Sequence, residues 1–93
     1  MGTNKIYFLK DGVQVRQEKF GLLFYDCRGP RLYFVPTRDL IEDDYFNGRC
    51  PMADLTSDIS ARHGWPVNRI EDRLEQVLTI LESKDLIYGQ SVR

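Results

Sequence analysis

Residues 13–35 decide the fold of this chain, and they read VQVRQEKFGLLFYDCRGPRLYFV. Val13 and Val15 alternate there with polar residues, and two apolar runs follow, at 22–25 after Gly21 and at 32–35 after the segment RGP at 28–30. Runs of this length bounded by glycine and proline predict strands, and links this short require an antiparallel meander. The third strand, at 31–35, then lies at an edge that is open to another chain, which favours a peptide-binding module.

The composition fits one small domain. The chain has 93 residues, of which 42% are hydrophobic, and this is enough for one core without disulfides or metal. A net charge of −1 gives no overall positive field that would attract nucleic acid. Two cysteines, Cys27 and Cys50, fit reduced thiols, with a disulfide as the alternative. The first apolar run, at 6–9, is too short for a signal peptide or a membrane span, so we expect a cytoplasmic protein without a membrane partner.

Beyond Pro36 the pattern predicts three helices. The first is expected to begin near Thr37, whose hydroxyl can cap it, with Asp39 in the first turn, and to end at Asn47-Gly48. The second is expected over about 53–62, ending at His63-Gly64.

The third helix has the clearest predicted start. Asn68 followed by Glu71 is a capping-box pattern, and the helix is expected to run to about Lys84. The prediction is therefore an α+β domain in which a three-stranded antiparallel sheet is followed by three helices, arranged like a winged helix-turn-helix. Residues 13–88 form this domain, 1–12 an N-terminal arm or short strand, and 89–93 a C-terminal tail.

A helical wheel divides the third helix into three parts. The core face is predicted to hold Ile70, Leu74, Val77, Leu78 and Leu81. One flank is acidic and carries Glu71, Glu75 and Glu82. The other flank, called the basic flank below, carries Arg69, Arg73, Ile80 and Lys84. A partly apolar, basic strip beside a free sheet edge suits an acidic, extended peptide.

Other functions have less support in the residues. A DNA-recognition helix needs cations along its exposed face, whereas this helix mixes acids with bases, so a small winged-helix DNA-binding regulator is the alternative function. A subunit adaptor that docks proteins is a third possibility. The residues Cys27, Cys50 and His63 show no zinc-motif spacing, and the chain has no phosphate loop or catalytic triad. We therefore expect no enzyme activity, no metal and no cofactor.

The sequence from residue 15, VRQEKFGLLFYDCRGPRLYFV, resembles a known family. It is similar to the opening of the peptide chaperones of the mycofactocin system, with Val15-Arg16, Glu18 and Phe20-Gly21 as the sharpest part. Those chaperones resemble the PqqD-like proteins of pyrroloquinoline quinone biosynthesis, and both are recognition elements for ribosomally synthesised, modified peptides. The resemblance covers about residues 13–87, and in the downstream half it rests on helix pattern alone.

This resemblance implies a function. In the family, the leader of a precursor peptide adds as a strand to the third strand and lies against the last helix, and the chaperone presents it to a radical S-adenosylmethionine maturase. The domain itself does no chemistry. Transferred to this chain, the peptide-binding residues are Arg31, Leu32, Tyr33, Phe34, Val35, Arg69, Arg73, Ile80 and Lys84. The expected state is a monomer, or a weak dimer that swaps residues 6–9.

Overall fold

The structure is a computed structural model that describes residues 5–29, 31–37 and 40–91. This part of the chain contains five strands, one short 3₁₀ turn and two α-helices. In chain order they are β1 (Lys5–Leu9), β2 (Val13–Glu18), β3 (Gly21–Asp26), β4 (Arg31–Val35), the 3₁₀ turn (Asp43–Phe46), α1 (Met52–His63), α2 (Val67–Ser83) and β5 (Ile87–Ser91).

Strands β2, β3 and β4 form the predicted antiparallel meander, in the order β2-β3-β4. In β3, Leu22 and Phe24 are fully buried, and they pair with Val35 and Tyr33 of β4. Glycine is required at the start of β3. A Cβ at Gly21 would overlap the carbonyl oxygen of Val35, so the absence of a side chain lets the end of β4 approach this closely.

Strands β1 and β5 form a second, two-stranded antiparallel sheet. The prediction allows residues 1–12 to be either an arm or a short strand, and β1 agrees with the second choice. The prediction does not include its partner β5, because it assigns residues 89–93 to a tail. Phe8 lies opposite Tyr88 and stacks on it at 5.3 Å, while the ring of buried Tyr7 lies over Gly89. The two ends of the described chain therefore support one another.

The expectation of three helices after a single sheet is wrong, and with it the winged helix-turn-helix layout. Within residues 40–46 the described chain forms the 3₁₀ turn and no α-helix, and bends at Leu40 and Ile41 precede that turn. Ile41 and Phe46 are both buried, although they would point about 140° apart on an α-helix, so an irregular turn brings both into the core. Thr37 is buried instead of capping a helix, and Asp39 lies outside the described residues.

The two helices that form lie close to their expected positions. Helix α1 ends at His63, at the predicted His63-Gly64 stop, and Gly64 caps it in the left-handed conformation at φ 71°. The capping box at Asn68 is wrong. The N-cap of α2 lies two residues earlier, at Pro66, and has no side-chain cap. Proline at φ −61° suits a helix start, and its carbonyl accepts from Ile70 N–H at 3.2 Å.

Helix α2 supplies much of the core. The predicted core face is confirmed: four of its residues are buried and Val77 packs against them. Helix α2 packs against α1 and β5. Neither described helix is long and apolar enough to cross a membrane.

Candidate functional site

Strand β4 has one edge without a neighbouring strand in the described part of the chain. Its other edge pairs with β3 along its whole length, from Arg31 to Val35. The opposite edge of the sheet, at β2, is approached by the 3₁₀ turn, where the backbone N–H of Asp43 donates to Gln17 Oε1 at 3.0 Å. The edge of β4 is therefore the better place for an added strand.

A groove separates β4 from α2. It has a volume of about 190 Å³, and we call it the β4–α2 groove. Its walls are formed by Tyr33, Val35 and Pro36 on one side and by Arg73, Gln76, Val77 and Ile80 on the other. The groove is narrow and mainly apolar, with one guanidinium group at its rim.

A cluster of charged groups fixes one end of this groove. The carboxylate of Asp26 is only 2% exposed, and it accepts from Arg28 Nε at 2.9 Å and from Arg31 Nη2 at 2.6 Å. Arg31 Nη2 also donates to the carbonyl oxygen of Lys84 at 3.1 Å. Hydrogen bonds from Arg28 first, and then from Arg31, hold the pKa of Asp26 well below its usual range. This cluster, the Asp26 clasp, ties the start of β4 to the end of α2.

Lys84 closes the same end of the groove. Its Nζ lies 4.7 Å from the centre of the Tyr33 ring, within reach of a cation–π interaction. Arg31 is engaged in the Asp26 clasp, so it positions β4 and is not a free cation for a ligand. Strand β4 and helix α2 consequently run in opposite directions, with Arg31 beside Lys84 and Val35 beside Arg73.

A second cavity, of about 410 Å³, lies at the other end of the groove. Its lining consists of Leu40, Trp65, Pro66, Arg69, Ile70 and Arg73, so Arg73 borders both spaces. Trp65 is 44% exposed, and its ring stacks on that of His63 with the centroids 4.3 Å apart. It therefore forms a wall of this cavity.

The structure brings together only some of the predicted site residues. Tyr33, Val35, Arg73 and Ile80 line the groove, Lys84 and Arg31 lie at one end, and Arg69 lies in the adjoining cavity. Leu32 and Phe34 lie on the opposite face of the sheet, where they are 66% and 44% exposed. Their side chains do not face α2.

The two flanks of α2 face different parts of the fold. Burial raises the pKa of the Tyr7 hydroxyl, and the nearby carboxylates of Glu82 and Glu75 raise it further. The acidic flank thus lies near β1, whereas Arg73 and Ile80 of the basic flank line the groove beside β4. Glu75 and Glu82 of the acidic flank and Arg73 and Ile80 of the basic flank therefore lie on different sides of α2.

Several residues of the site were missed in the sequence. Gln76 lies between Arg73 and Ile80 in the sequence and falls on the basic flank of the wheel. The wheel could therefore have identified it as a residue of the site. Asp26 ends a strand and is followed by two arginines, a pattern that is common in solvated turns and does not reveal a buried carboxylate. Pro36 was seen only as a helix boundary.

Comparisons of the chain with protein-family models, with curated proteins and with solved structures found no match.

Proposed function

We propose that this chain is a non-catalytic peptide-binding protein. It takes the extended, acidic leader of a ribosomally synthesised precursor as an added strand on β4 and presents it to a radical S-adenosylmethionine maturase, as in mycofactocin biosynthesis. One observation carries the binding step: the open edge of β4 and the basic flank of α2 border the same groove.

Strand addition suits this groove physically. Backbone N–H and C=O groups of β4 supply affinity that does not depend on the peptide sequence, while side-chain contacts set the register. Alternate side chains of an added strand point towards α2. There they meet the apolar surface of Val77 and Ile80 and the cations of Arg73 and Lys84, which favours apolar and acidic residues at those positions.

The identification of the ligand as a leader peptide and of the partner as a maturase rests on the resemblance at residues 15–21. Gly21 is the residue of that motif with a clear structural task, because it allows the close approach of Val35 at the groove. A chaperone of this kind needs no catalytic group. Holding a disordered substrate beside its enzyme raises the effective concentration of that substrate, often to about the millimolar range for a short flexible connection.

A selection from a random peptide library tests the binding step. We expect the whole chain, immobilised on beads, to enrich peptides of about twelve residues in which carboxylates alternate with apolar side chains, and a purified winner to bind with a Kd of roughly micromolar or tighter by calorimetry. If the selection yields no peptide that binds one-to-one in solution, the proposal is refuted.

Charge reversal on the two flanks of α2 then locates the peptide. The double change Arg73→Glu with Lys84→Glu is expected to weaken the selected peptide about tenfold or more at low salt, and less at high salt, because salt screens exposed charges. The matched control, Glu71→Lys with Glu75→Lys, should change Kd by less than about twofold, since those residues lie outside the groove. Equal losses from both pairs would place the peptide elsewhere.

A further inference from the structure

The cavity beside the N-terminal end of α2 has a firm frame. Trp65 stacks on His63, and its carbonyl oxygen accepts a hydrogen bond from Ser60 Oγ at 2.8 Å. Pro66 follows directly and starts α2, and Ile70, which is 4% exposed, forms part of the inner wall. An exposed tryptophan held in this way offers a flat apolar surface in a fixed position.

The same cavity carries two guanidinium groups. Arg69 and Arg73 are separated by four residues on α2, so their side chains lie on one side of the helix. Neither forms an ion pair or a side-chain hydrogen bond with another residue in the described part of the chain, in contrast to Arg28 and Arg31 of the Asp26 clasp. The first turn of α2, which holds Arg69, contains no acidic residue.

We infer that this cavity is a second binding site, for a carboxylate carried next to a large apolar side chain. Its volume lies in the lower part of the range for small-ligand pockets, roughly 300–1,000 Å³. A guanidinium binds a carboxylate through two parallel hydrogen bonds, and the indole of Trp65 takes an aromatic or aliphatic group. An inorganic anion would leave the apolar walls, Leu40 and Ile70 among them, without a partner.

The inference rests on the proposed function, because Arg73 lines both the cavity and the β4–α2 groove. A peptide that follows β4 past Val35 and Pro36 reaches the cavity next. Its ligand is therefore a segment of the same peptide, flanking the added strand, in which an acidic residue stands beside a phenylalanine, tyrosine or leucine. This segment would set the register of a strand that backbone pairing alone leaves free to slide.

Small probes test the cavity without any peptide. We expect 3-phenylpropionate to shift the indole N–H signal of Trp65 and the backbone signal of Arg69 in the ¹H–¹⁵N spectrum, saturating with a Kd in roughly the millimolar range expected of such a small ligand. The neutral amide of the same acid should bind about tenfold more weakly, because it lacks the charge-assisted hydrogen bonds. Inorganic phosphate should give no saturable shift at Trp65.

Three variants complete the test. Trp65→Ala and Arg69→Gln change exposed side chains and are each expected to weaken 3-phenylpropionate at least about fivefold, whereas Lys19→Gln, a distant exposed cation, should leave its Kd unchanged. Unaltered binding in both cavity variants, equal binding of acid and amide, or saturable binding of phosphate would overturn the inference. None of these results depends on strand addition. Because Arg73 borders both spaces, Lys84→Glu alone, a change outside the cavity, tests the groove separately.

Discussion

Replacing Gly21 by alanine should disrupt the close contact between the start of β3 and the end of β4, which lies beside the groove. The new Cβ would overlap the Val35 carbonyl oxygen and lie 2.9 Å from both Pro36 Cα and Thr37 N. All three neighbours are backbone atoms, so none can turn aside as a flexible side chain would. The Val35 carbonyl also accepts from Thr37 N–H at 2.8 Å, so moving it disturbs a second contact.

The size of the effect follows from two opposing terms. Adding a methyl group to a filled site costs about 1–3 kcal/mol, and the fixed backbone neighbours of Gly21 place this case at about 2–3 kcal/mol. Alanine also lowers the conformational entropy of the unfolded chain, which stabilises the folded state by about 0.4–1 kcal/mol. The net loss in the free energy of unfolding is therefore about 1–2.5 kcal/mol, or roughly 4–20 °C in Tm for a domain of this size.

Urea unfolding followed by circular dichroism measures this loss, with Gly29→Ala as the control. Gly29 lies in the turn between β3 and β4, and nothing approaches within 4 Å of a Cβ placed there. That variant should be as stable as the wild type or up to about 1 kcal/mol more stable, because only the restriction of the unfolded chain remains. If Gly21→Ala were as stable as Gly29→Ala, the close approach of Val35 would not be required, and Gly21 would lose its proposed part in shaping the groove.

Three further predictions concern the helix, the clasp and the thiols. Leu78→Ala should cost about 2–5 kcal/mol in the free energy of unfolding, and Ile80→Ala less than about 1 kcal/mol, because Leu78 is 1% and Ile80 45% exposed; urea titration compares them. The lowered pKa of Asp26 means that its ion pairs stabilise the fold fully above about pH 4 and are lost as pH falls through that lowered pKa. Asp26→Asn should therefore be less stable at neutral pH and lack this acid-range decline in chemical unfolding. Cys27 is exposed, whereas burial raises the pKa of the Cys50 thiol, so iodoacetamide followed by mass spectrometry should label Cys27 first.

Local patterns in the sequence predicted the elements that are stabilised locally. The meander is marked by turn residues, and the wheel of α2 separates a core face from two charged flanks within seventeen residues. The pairing of β1 with β5 was missed because it joins the two ends of the chain, and Gly89 and Gln90 weaken the strand pattern of β5. Nothing near residue 89 indicates that Tyr7 will cover it.

The error in the first helix has a different origin. Residues 40–46, LIEDDYF, contain enough apolar residues for a helix but place them at positions that do not share one face. Asp43 and Asp44 also have low helix propensity. An irregular segment and a 3₁₀ turn bury Ile41, Tyr45 and Phe46 in the core. Neither has a regular repeat, so a search for helical periodicity does not detect them.

The orientation of β4 could not be predicted for a physical reason that also bears on function. Both faces of RLYFV are apolar, so alternation does not indicate which face is buried, and the structure turns Tyr33 and Val35 inward. Leu32 and Phe34 then remain on the outer face, opposite Tyr25 and Leu23 of β3. A strand added to β4 continues this pleat, so half of its side chains face α2 and half lie beside Leu32 and Phe34.

These two halves meet different surroundings. Cross-strand apolar pairs contribute about 0.2–1 kcal/mol each, which favours aromatic or β-branched residues at the outer positions of the peptide. In the proposed complex the inner positions would meet Arg73 and Lys84 as well as Ile80, which would favour carboxylates mixed with apolar residues. A peptide that slips by one residue would turn its carboxylates to the outer apolar face and leave the cations of α2 unpaired. The cations beside the inner face of β4, which the outer face lacks, would therefore oppose one-residue slippage, in addition to any fixing of the register by the cavity at Trp65.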